Sequence, residues 1–409
     1  MRKEDVSGII VYVLILAVAV VFGLTVLREH AAFATQDMGG MVVYILYIFG
    51  AILAGVLFNA IMFEVAHILG AKVGRYLIIS VDILGLLWYK EDGKTKFKFS
   101  GYDGLTGETK ILPKKDAKKE PNPSPYLLFG TLFYMVELAA VIVVFTLFGQ
   151  SDQLVLRNVA YFLLVMAVLG GMILLYNILP IKLDTTTDGY RMRMTTNAAN
   201  KIAFNELLRV EYAISQGEEN VEIATFTEIS NFTAELNLNK VYVLLDKKEF
   251  QEAEKLIDII LEGKDKVSEK VYVRARCQKI YINIITKPLD EARKFYDEQV
   301  PMNERRDISN DRAMVSIRTY LLMSGLLDGS KSECLYAINN AGKCFNNTPK
   351  QRRKVEADLF NDAIDKIDQL HPTWKLSEYH IDYQEPEEKK KKKKYSGIPF
   401  YFSFNRLTY

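Results

Sequence analysis

Four long apolar segments constrain this chain more than any other feature of its 409 residues. Each contains roughly 20 or more mostly apolar residues, the length that an α-helix needs to cross a bilayer. They lie at about 8–27, 41–70, 126–147 and 156–180. The first is longer than the apolar core of a secretory signal peptide, so we expect it to be retained. The sequence therefore predicts an α-helical polytopic membrane protein with about four spans.

Basic residues are distributed unevenly among the segments that connect these spans. The loop from 71 to 125 is rich in lysine, whereas the connections at 28–40 and 148–155 contain few basic residues. Under the positive-inside rule, a multi-pass protein of the cell membrane is expected, with this loop and both termini in the cytosol. The second and fourth spans then end on the same cytosolic side, where they can build one site together.

The composition separates an apolar half from a polar half. Hydrophobic residues make up 49% of the chain and are concentrated before residue 180. A net charge of +2 gives no reason to expect a nucleic-acid partner. All cysteines lie in the polar half without Cys-x-x-Cys spacing, which predicts reduced thiols in a cytosolic domain. They are Cys277, Cys334 and Cys344.

The cytosolic loop contains a β-hairpin signal directly after the second span. Residues 83–89 form a strand-like run, and the pair Asp92-Gly93 suits the positive φ angles of a tight turn. Residues 96–99 then alternate lysine and phenylalanine with the period of a strand. We expect the hairpin either to pack without a further role or to pair its edge strand with an extended polypeptide.

Ionisable side chains lie within two of the spans. Glu64 and His67 are three residues apart and therefore share one face of a helix. Their spacing is close to that of the zinc-protease motif His-Glu-x-x-His, but Phe63 stands at the first histidine position. In the third span, Glu137 is expected to face protein or a cavity, and hydrogen bonding to a neighbouring helix is its simplest role.

The fourth span ends in Asn177 and Pro180, because proline cannot continue a helix. Asp184 and Asp188 follow, and the second of them precedes a glycine at a predicted turn. On its own, this segment is a loop at a membrane exit. Beside the glutamate and histidine of the second span, either aspartate is a candidate metal ligand.

After about residue 191 the chain is predicted to form amphipathic helices. Three helix starts with a following alanine recur at roughly 40-residue intervals. They are Phe250-x-x-Ala253, Leu289-x-x-Ala292 and Cys334-x-x-Ala337. This pattern predicts an all-α, tetratricopeptide-like cytosolic domain, with an ordinary helical bundle as the alternative, and either offers a protein-binding surface. The lysine run at 389–394 is expected to be solvated or to contact anionic lipid.

These patterns divide the chain into four predicted parts. They are a transmembrane helix with an outer loop at 1–40, a membrane core at 41–190, a helical-repeat domain at 191–384 and a lysine-rich aromatic tail at 385–409. The chemistry-bearing residues all fall in the membrane core.

The core resembles the site-2 protease family of intramembrane zinc metalloproteases. The order of its parts matches: a zinc-binding helix in a span, a β segment, another span, and a span ending Asn-x-x-Pro before Asp-Gly. Residues 90–98 and 187–190 resemble a bacterial branch of that family in particular. The resemblance implies a general base, two zinc ligands and two substrate-lining residues, which are Glu64, then His67 and Asp188, then Asn177 and Pro180. Phe63 replaces the first zinc histidine, and a lengthened segment before Asp188 makes Asp184 a competing ligand.

Three functions follow from this resemblance and the replaced ligand. The first is a catalytically impaired pseudoprotease that binds membrane or protein partners through its core and its helical repeats. The second is an active metalloprotease with a rearranged zinc site, in which Glu64 turns to the metal or both aspartates coordinate it. The third is a membrane-anchored helical-repeat adaptor. The expected partners are the lipid bilayer, a single-span membrane protein or peptide in the core, and a protein on the repeats.

Overall fold

The computed structural model describes residues 3–37, 40–91, 94–99, 107–114, 120–180, 187–216, 218, 221–348 and 350–383. The chain divides into two compact units, one ending at Lys201 and the next beginning at Ile202. Three features predicted from the sequence lie outside the described residues. They are Asp184, the Asp92-Gly93 turn and the lysine-rich tail.

Among its described residues, the first unit contains four helical segments that are long and apolar enough to cross a membrane. They span Ile9–Ala32, Met41–Val73, Pro123–Phe148 and Leu154–Ile178. The first lies within a longer helical stretch, which consists of α1 (Lys3–Phe22), a π-helical turn (Gly23–Leu27) and α2 (Arg28–Asp37). The others are α3 (Met41–Val73), α4 (Pro123–Phe148) and α5 (Leu154–Ile178). The prediction of four apolar helices is confirmed, and their orientation in a membrane stays a prediction.

Glycines bring α3 close to the two helices that follow it. A Cβ atom on Gly55 would lie 2.9 Å from the Leu169 side chain of α5, and one on Gly70 would lie 2.3 Å from the Pro125 carbonyl oxygen of α4. Small residues of this kind allow helix backbones to approach one another in membranes. The helices α3, α4 and α5 therefore form one tightly packed group that fixes the positions of their polar side chains.

A four-stranded antiparallel sheet follows α3. Its strands are β1 (Tyr76–Ile83), β2 (Leu86–Glu91), β3 (Lys94–Phe99) and β4 (Gly107–Pro113), in the order β3-β2-β1-β4. The predicted hairpin is confirmed as β2 and β3, with Glu91 opposite Lys94. The prediction of one strand over 83–89 is wrong, because the chain turns at Leu84 and Gly85, where φ is 54° and 82°. Two positive φ angles in succession are typical of the tight turn that joins antiparallel strands.

One edge of the sheet packs against α3, and the other edge is exposed. In β4, Thr109 and Ile111 are buried, and their strand contacts α3. In β3, Phe97 and Phe99 are exposed, and in the described part of the chain this strand pairs only with β2. Strand β4 therefore packs on the buried face of α3, and β3 forms the exposed outer edge of the sheet.

After α5, a short helix α6 (Asp188–Met194) ends the first unit, and α7 (Ala198–Ser215) leads into the second. All the regular secondary structure among the described residues of the second unit is helical. Its further helices are α8 (Asn231–Asp246), α9 (Phe250–Glu262), α10 (Glu269–Thr286), α11 (Leu289–Gln299), α12 (Met302–Asn310), α13 (Met314–Leu322), α14 (Lys331–Asn347) and α15 (Lys350–Leu370). The three alanines singled out in the sequence are all buried, in α9, α11 and α14.

The helices α8, α10, α13 and α15 surround a buried polar centre. Arg318 of α13 is 0% exposed, and its Nε donates to Glu356 of α15 over 2.9 Å. The same guanidinium donates through Nη2 to Gln278 of α10 over 2.7 Å. Tyr281 of α10 donates to the Leu359 carbonyl of α15. A carboxylate and an amide oxygen thus accept from two nitrogens of the buried guanidinium, while its Nη1 has no hydrogen-bond partner among the described residues.

Candidate functional site

The C-terminal third of α3 presents two buried ionisable side chains on one face. Glu64 is 2% exposed and His67 is 5% exposed. The two residues are less than one helical turn apart, so both point toward the elements that pack on this face of α3. We call these residues, together with the side chains that contact them from β4, α4 and α6, the α3 cluster.

His67 joins α3 to two other elements. Its Nδ1 lies 2.8 Å from the backbone carbonyl oxygen of Tyr126 in α4. Because a carbonyl oxygen only accepts, Nδ1 carries the hydrogen of this bond. The other ring nitrogen, Nε2, lies 3.4 Å from Oδ2 of Asp188 in α6. Both nitrogens of the imidazole are thus occupied by neighbours within the protein.

The start of α6 holds Asp188 against His67. Thr187 caps this helix: its hydroxyl donates to the Leu179 carbonyl over 2.5 Å and accepts from the backbone N–H of Tyr190. Gly189 has no side chain, which the close approach to α5 requires, since a Cβ atom there would lie 2.1 Å from the Ile178 carbonyl oxygen. The Asp-Gly pair found in the sequence therefore serves to place α6 directly on the end of α5.

The Asp188 carboxylate also faces a cation of its own helix. Nη1 of Arg191, one helical turn later, lies 3.8 Å from Oδ1 of Asp188, and both side chains are largely buried. The aspartate thus contacts an imidazole through one oxygen and a guanidinium through the other. Sequence reasoning did not single out Arg191, although its spacing of three residues from Asp188 is a recognisable helical pair.

Strand β4 covers the Glu64 carboxyl group. The Thr109 hydroxyl donates to Oε2 of Glu64 over 2.5 Å. A Cβ atom on Gly107 would lie 2.4 Å from Cγ of Glu64, so only glycine fits at that position. The Tyr126 hydroxyl donates in turn to the Thr109 carbonyl over 3.0 Å. These contacts connect β4 to both α3 and α4, and neither Thr109 nor Tyr126 was predicted from the sequence.

Phe63 fills the space beside His67. Its ring centroid lies 4.3 Å from that of His67 in an edge-on arrangement, and 5.6 Å from that of Tyr134, on which it stacks. A Cβ atom on Gly130 of α4 would lie 2.4 Å from the Phe63 ring. The phenylalanine is therefore accommodated by a glycine on the facing helix, and it brings no donor atom to the site.

The two residues expected to line a substrate site lie at the end of α5. The Asn177 amide donates to the Ile173 carbonyl of its own helix over 3.1 Å. Pro180 follows the end of the helix and is exposed. The structure thus brings Glu64, His67 and Asp188 into one cluster, while the amide nitrogen of Asn177 is turned to its own backbone.

The donor atoms of the α3 cluster do not fit a catalytic zinc site. Such a site takes three protein ligands and keeps a fourth position for water. Among the described residues, no group of three or more His, Cys, Asp or Glu side chains is arranged to hold a metal ion. The Phe63 ring, which has no ligand atom, packs beside His67, and the Arg191 cation stands beside Asp188, where it would repel a metal ion.

An apolar groove of about 240 Å³ lies between α3 and α4. Its lining consists of Met62, Val65, Ala66, Leu69, Phe129, Leu132, Phe133 and Val136. The groove therefore presents only apolar side chains next to the helix face that bears the α3 cluster.

In comparisons with known proteins, no family model, no curated protein and no solved structure matches the chain. The resemblance to site-2 proteases accordingly depends on the motifs and on the arrangement of their residues.

Proposed function

We propose that this protein is a catalytically impaired pseudoprotease of site-2-protease-like architecture, which binds polypeptide partners in the membrane and the cytosol. The observation that carries the proposal is Phe63, whose ring occupies the place of a zinc ligand beside His67. Asp188 and His67 face each other and Glu64 accepts from Thr109, so the polar groups of the α3 cluster satisfy one another. Their role in the proposal is to hold α3, β4, α4 and α6 together.

Two surfaces of the first unit support the binding of a polypeptide. The apolar groove between α3 and α4 suits a hydrophobic segment of a single-span membrane protein, because it offers no polar group that would remain unpaired. The outer strand β3 suits an extended segment, which would add to the sheet through backbone hydrogen bonds. Lysines 94, 96 and 98 of β3 would favour an acidic segment.

The proposal extends to the second unit and to the setting of the protein. The pairs α8/α9, α10/α11 and α13/α14 support a tetratricopeptide-like repeat, because each pair buries one of the recurring alanines. Such repeats bind proteins by default. The proposed setting is a cell membrane with both termini in the cytosol, on the strength of the lysine-rich loop. A bacterial membrane is proposed because residues 90–98 and 187–190 resemble a bacterial branch of the family.

Zinc content per chain tests the proposal most directly. Detergent-purified wild-type protein, equilibrated with zinc and then dialysed, is expected to hold far less than one zinc per chain by elemental mass spectrometry. The matched variant His67→Ala is expected to give the same value. One zinc per chain in the wild type, lost in His67→Ala, would overturn the proposal.

One observation favours a second candidate, an active intramembrane metalloprotease with a rearranged site. His67 Nε2 and Asp188 Oδ2 are 3.4 Å apart, close to the separation of about 3.3 Å between two ligands on a tetrahedral zinc ion. This candidate needs Glu64 as the general base. It predicts metal-dependent cleavage of a single-span substrate that Glu64→Gln abolishes in a folded protein, and cleavage that persists in this variant would remove Glu64 from the mechanism.

A further inference from the structure

Three apolar helices meet around polar groups near the middle of their length, outside the α3 cluster. Asn59 of α3 is 0% exposed. Its amide nitrogen donates to the Gly55 carbonyl over 2.8 Å and to the Met166 carbonyl of α5 over 3.2 Å. Both hydrogens of the amide thus form hydrogen bonds, and the oxygen Oδ1 has no hydrogen-bond partner among the described residues.

Two buried oxygen atoms face the same point on α5. A Cβ atom on Gly170 would lie 2.8 Å from Oδ1 of Asn59 and 3.1 Å from Oε2 of Glu137 in α4. The two oxygens therefore lie within about 6 Å of each other. Among the described residues, neither oxygen has a hydrogen-bond partner, although both atoms are buried. Gly170 permits this approach, because any side chain there would separate the oxygens.

Two acceptors cannot satisfy each other without a hydrogen between them. An amide oxygen and an ionised carboxylate both only accept, and an unpaired buried acceptor destabilises the fold. An ionised carboxylate inside a bilayer adds the larger cost of a charge removed from water. A neutral carboxylic acid, in contrast, has one O–H donor. A single proton on Glu137 therefore removes the charge and supplies the donor that Asn59 lacks.

We infer that Glu137 is a proton-binding site inside the membrane, held as a neutral acid that donates to Oδ1 of Asn59. The proton is the ligand, and Asn59, Glu137 and Gly170 form its site. Its hydrogen bond joins α3 to α4 where both helices pass α5. A cation of the Ca²⁺ type is a poor fit, since such ions take about six to eight oxygen ligands and this site offers the carboxyl group and one amide oxygen.

Infrared spectroscopy of the full-length protein in lipid tests this inference, because neutral and ionised carboxyl groups absorb at different frequencies. The difference spectrum between wild type and Glu137→Gln is expected to contain the C=O stretch of one neutral acid near pH 7. Glutamine has the same size as glutamate and can donate to Asn59, so this variant should fold. A pair of carboxylate bands in place of the acid band would overturn the inference.

Two further measurements examine the partner and the identity of the ligand. In Asn59→Leu, the Glu137 acid band is expected to move to higher frequency because its hydrogen bond is lost, and an unmoved band would overturn the role of Asn59. In wild type, the band is expected to persist when sodium replaces potassium at high concentration. Replacement of the band by carboxylate bands would identify a bound cation in place of the proton and would also overturn the inference.

Discussion

Substitution of Phe63 by histidine should create a zinc site in the α3 cluster. The Phe63 ring centroid is 4.3 Å from that of His67, so an imidazole in its place would stand beside the first ligand. Asp188 already lies 3.4 Å from His67, close to the separation of about 3.3 Å that two ligands of tetrahedral zinc require. The variant would therefore supply three protein ligands on α3 and α6 and leave a fourth position open.

The expected gain in zinc affinity follows from the binding free energy that one ligand contributes. Structural zinc sites with four ligands contribute about 10–16 kcal/mol of binding free energy, or roughly 2.5–4 kcal/mol per ligand. An added imidazole should therefore lower the Kd for zinc by about 60-fold or more, since about 1.4 kcal/mol corresponds to a factor of ten. The Arg191 cation repels the metal ion equally in wild type and variant, so it does not affect the ratio of their zinc affinities.

Equilibrium dialysis against buffered zinc, followed by elemental mass spectrometry, gives the two affinities. Phe63→Leu controls for the loss of the aromatic ring, and the double variant Phe63→His/His67→Ala should lose the added affinity. If folded Phe63→His binds no more zinc than Phe63→Leu, then Phe63 is not what keeps this site from holding metal, and the geometric argument fails.

Three further predictions concern packing, burial and thiol reactivity. Gly130→Ala puts a methyl group 2.4 Å from the Phe63 ring and should lower the free energy of unfolding by about 1–3 kcal/mol. The control Gly171→Ala, whose methyl group would have nothing within 4 Å, should melt like wild type. Equal melting temperatures of the two variants would contradict this prediction. Arg318→Met leaves a buried carboxylate unpaired and should cost about 3–5 kcal/mol in denaturant titrations, and a loss below 1 kcal/mol would contradict it. Burial raises the pKa of Cys277 to about 12. At pH 8, iodoacetamide should therefore modify Cys277 far more slowly than the half-buried Cys344, because the thiolate is the reactive form. Equal rates of modification would contradict this prediction.

The hairpin and the spans were predictable because their signals are local. An Asp-Gly pair between alternating residues predicts a turn, and the structure pairs β2 with β3 across it. The turn before β2 gave no such signal, because Leu84 adopts a φ of 54° that leucine rarely takes outside a turn imposed by its surroundings. The apolar run through Leu84 therefore resembled one strand, and β1 was missed.

The α3 cluster was predictable where it follows from spacing along one helix and not where it depends on packing. Glu64 and His67 share a face by helical geometry alone. Thr109 reaches Glu64 only because β4 is brought to α3 by the sheet, across 45 positions of sequence. Asp188 contacts His67 because α6 lies against the end of α5, which depends on Gly189 and its close approach to a backbone carbonyl. The contact of Thr109 has no signature in the local sequence, whereas Asp188 was expected near His67 because the Asp-Gly pair resembles a family motif.

The buried polar centre of the second unit restricts how a partner can engage it. Arg318 and Glu356 are almost fully buried and 2.9 Å apart, and Tyr281 binds the backbone of α15. A partner that separated α13 from α15 would break this buried ion pair, at a cost of about 3–5 kcal/mol. That cost corresponds to a loss of roughly 100-fold or more in affinity. Binding by the second unit is therefore expected at the outward-facing surfaces of its helices, with the polar centre intact.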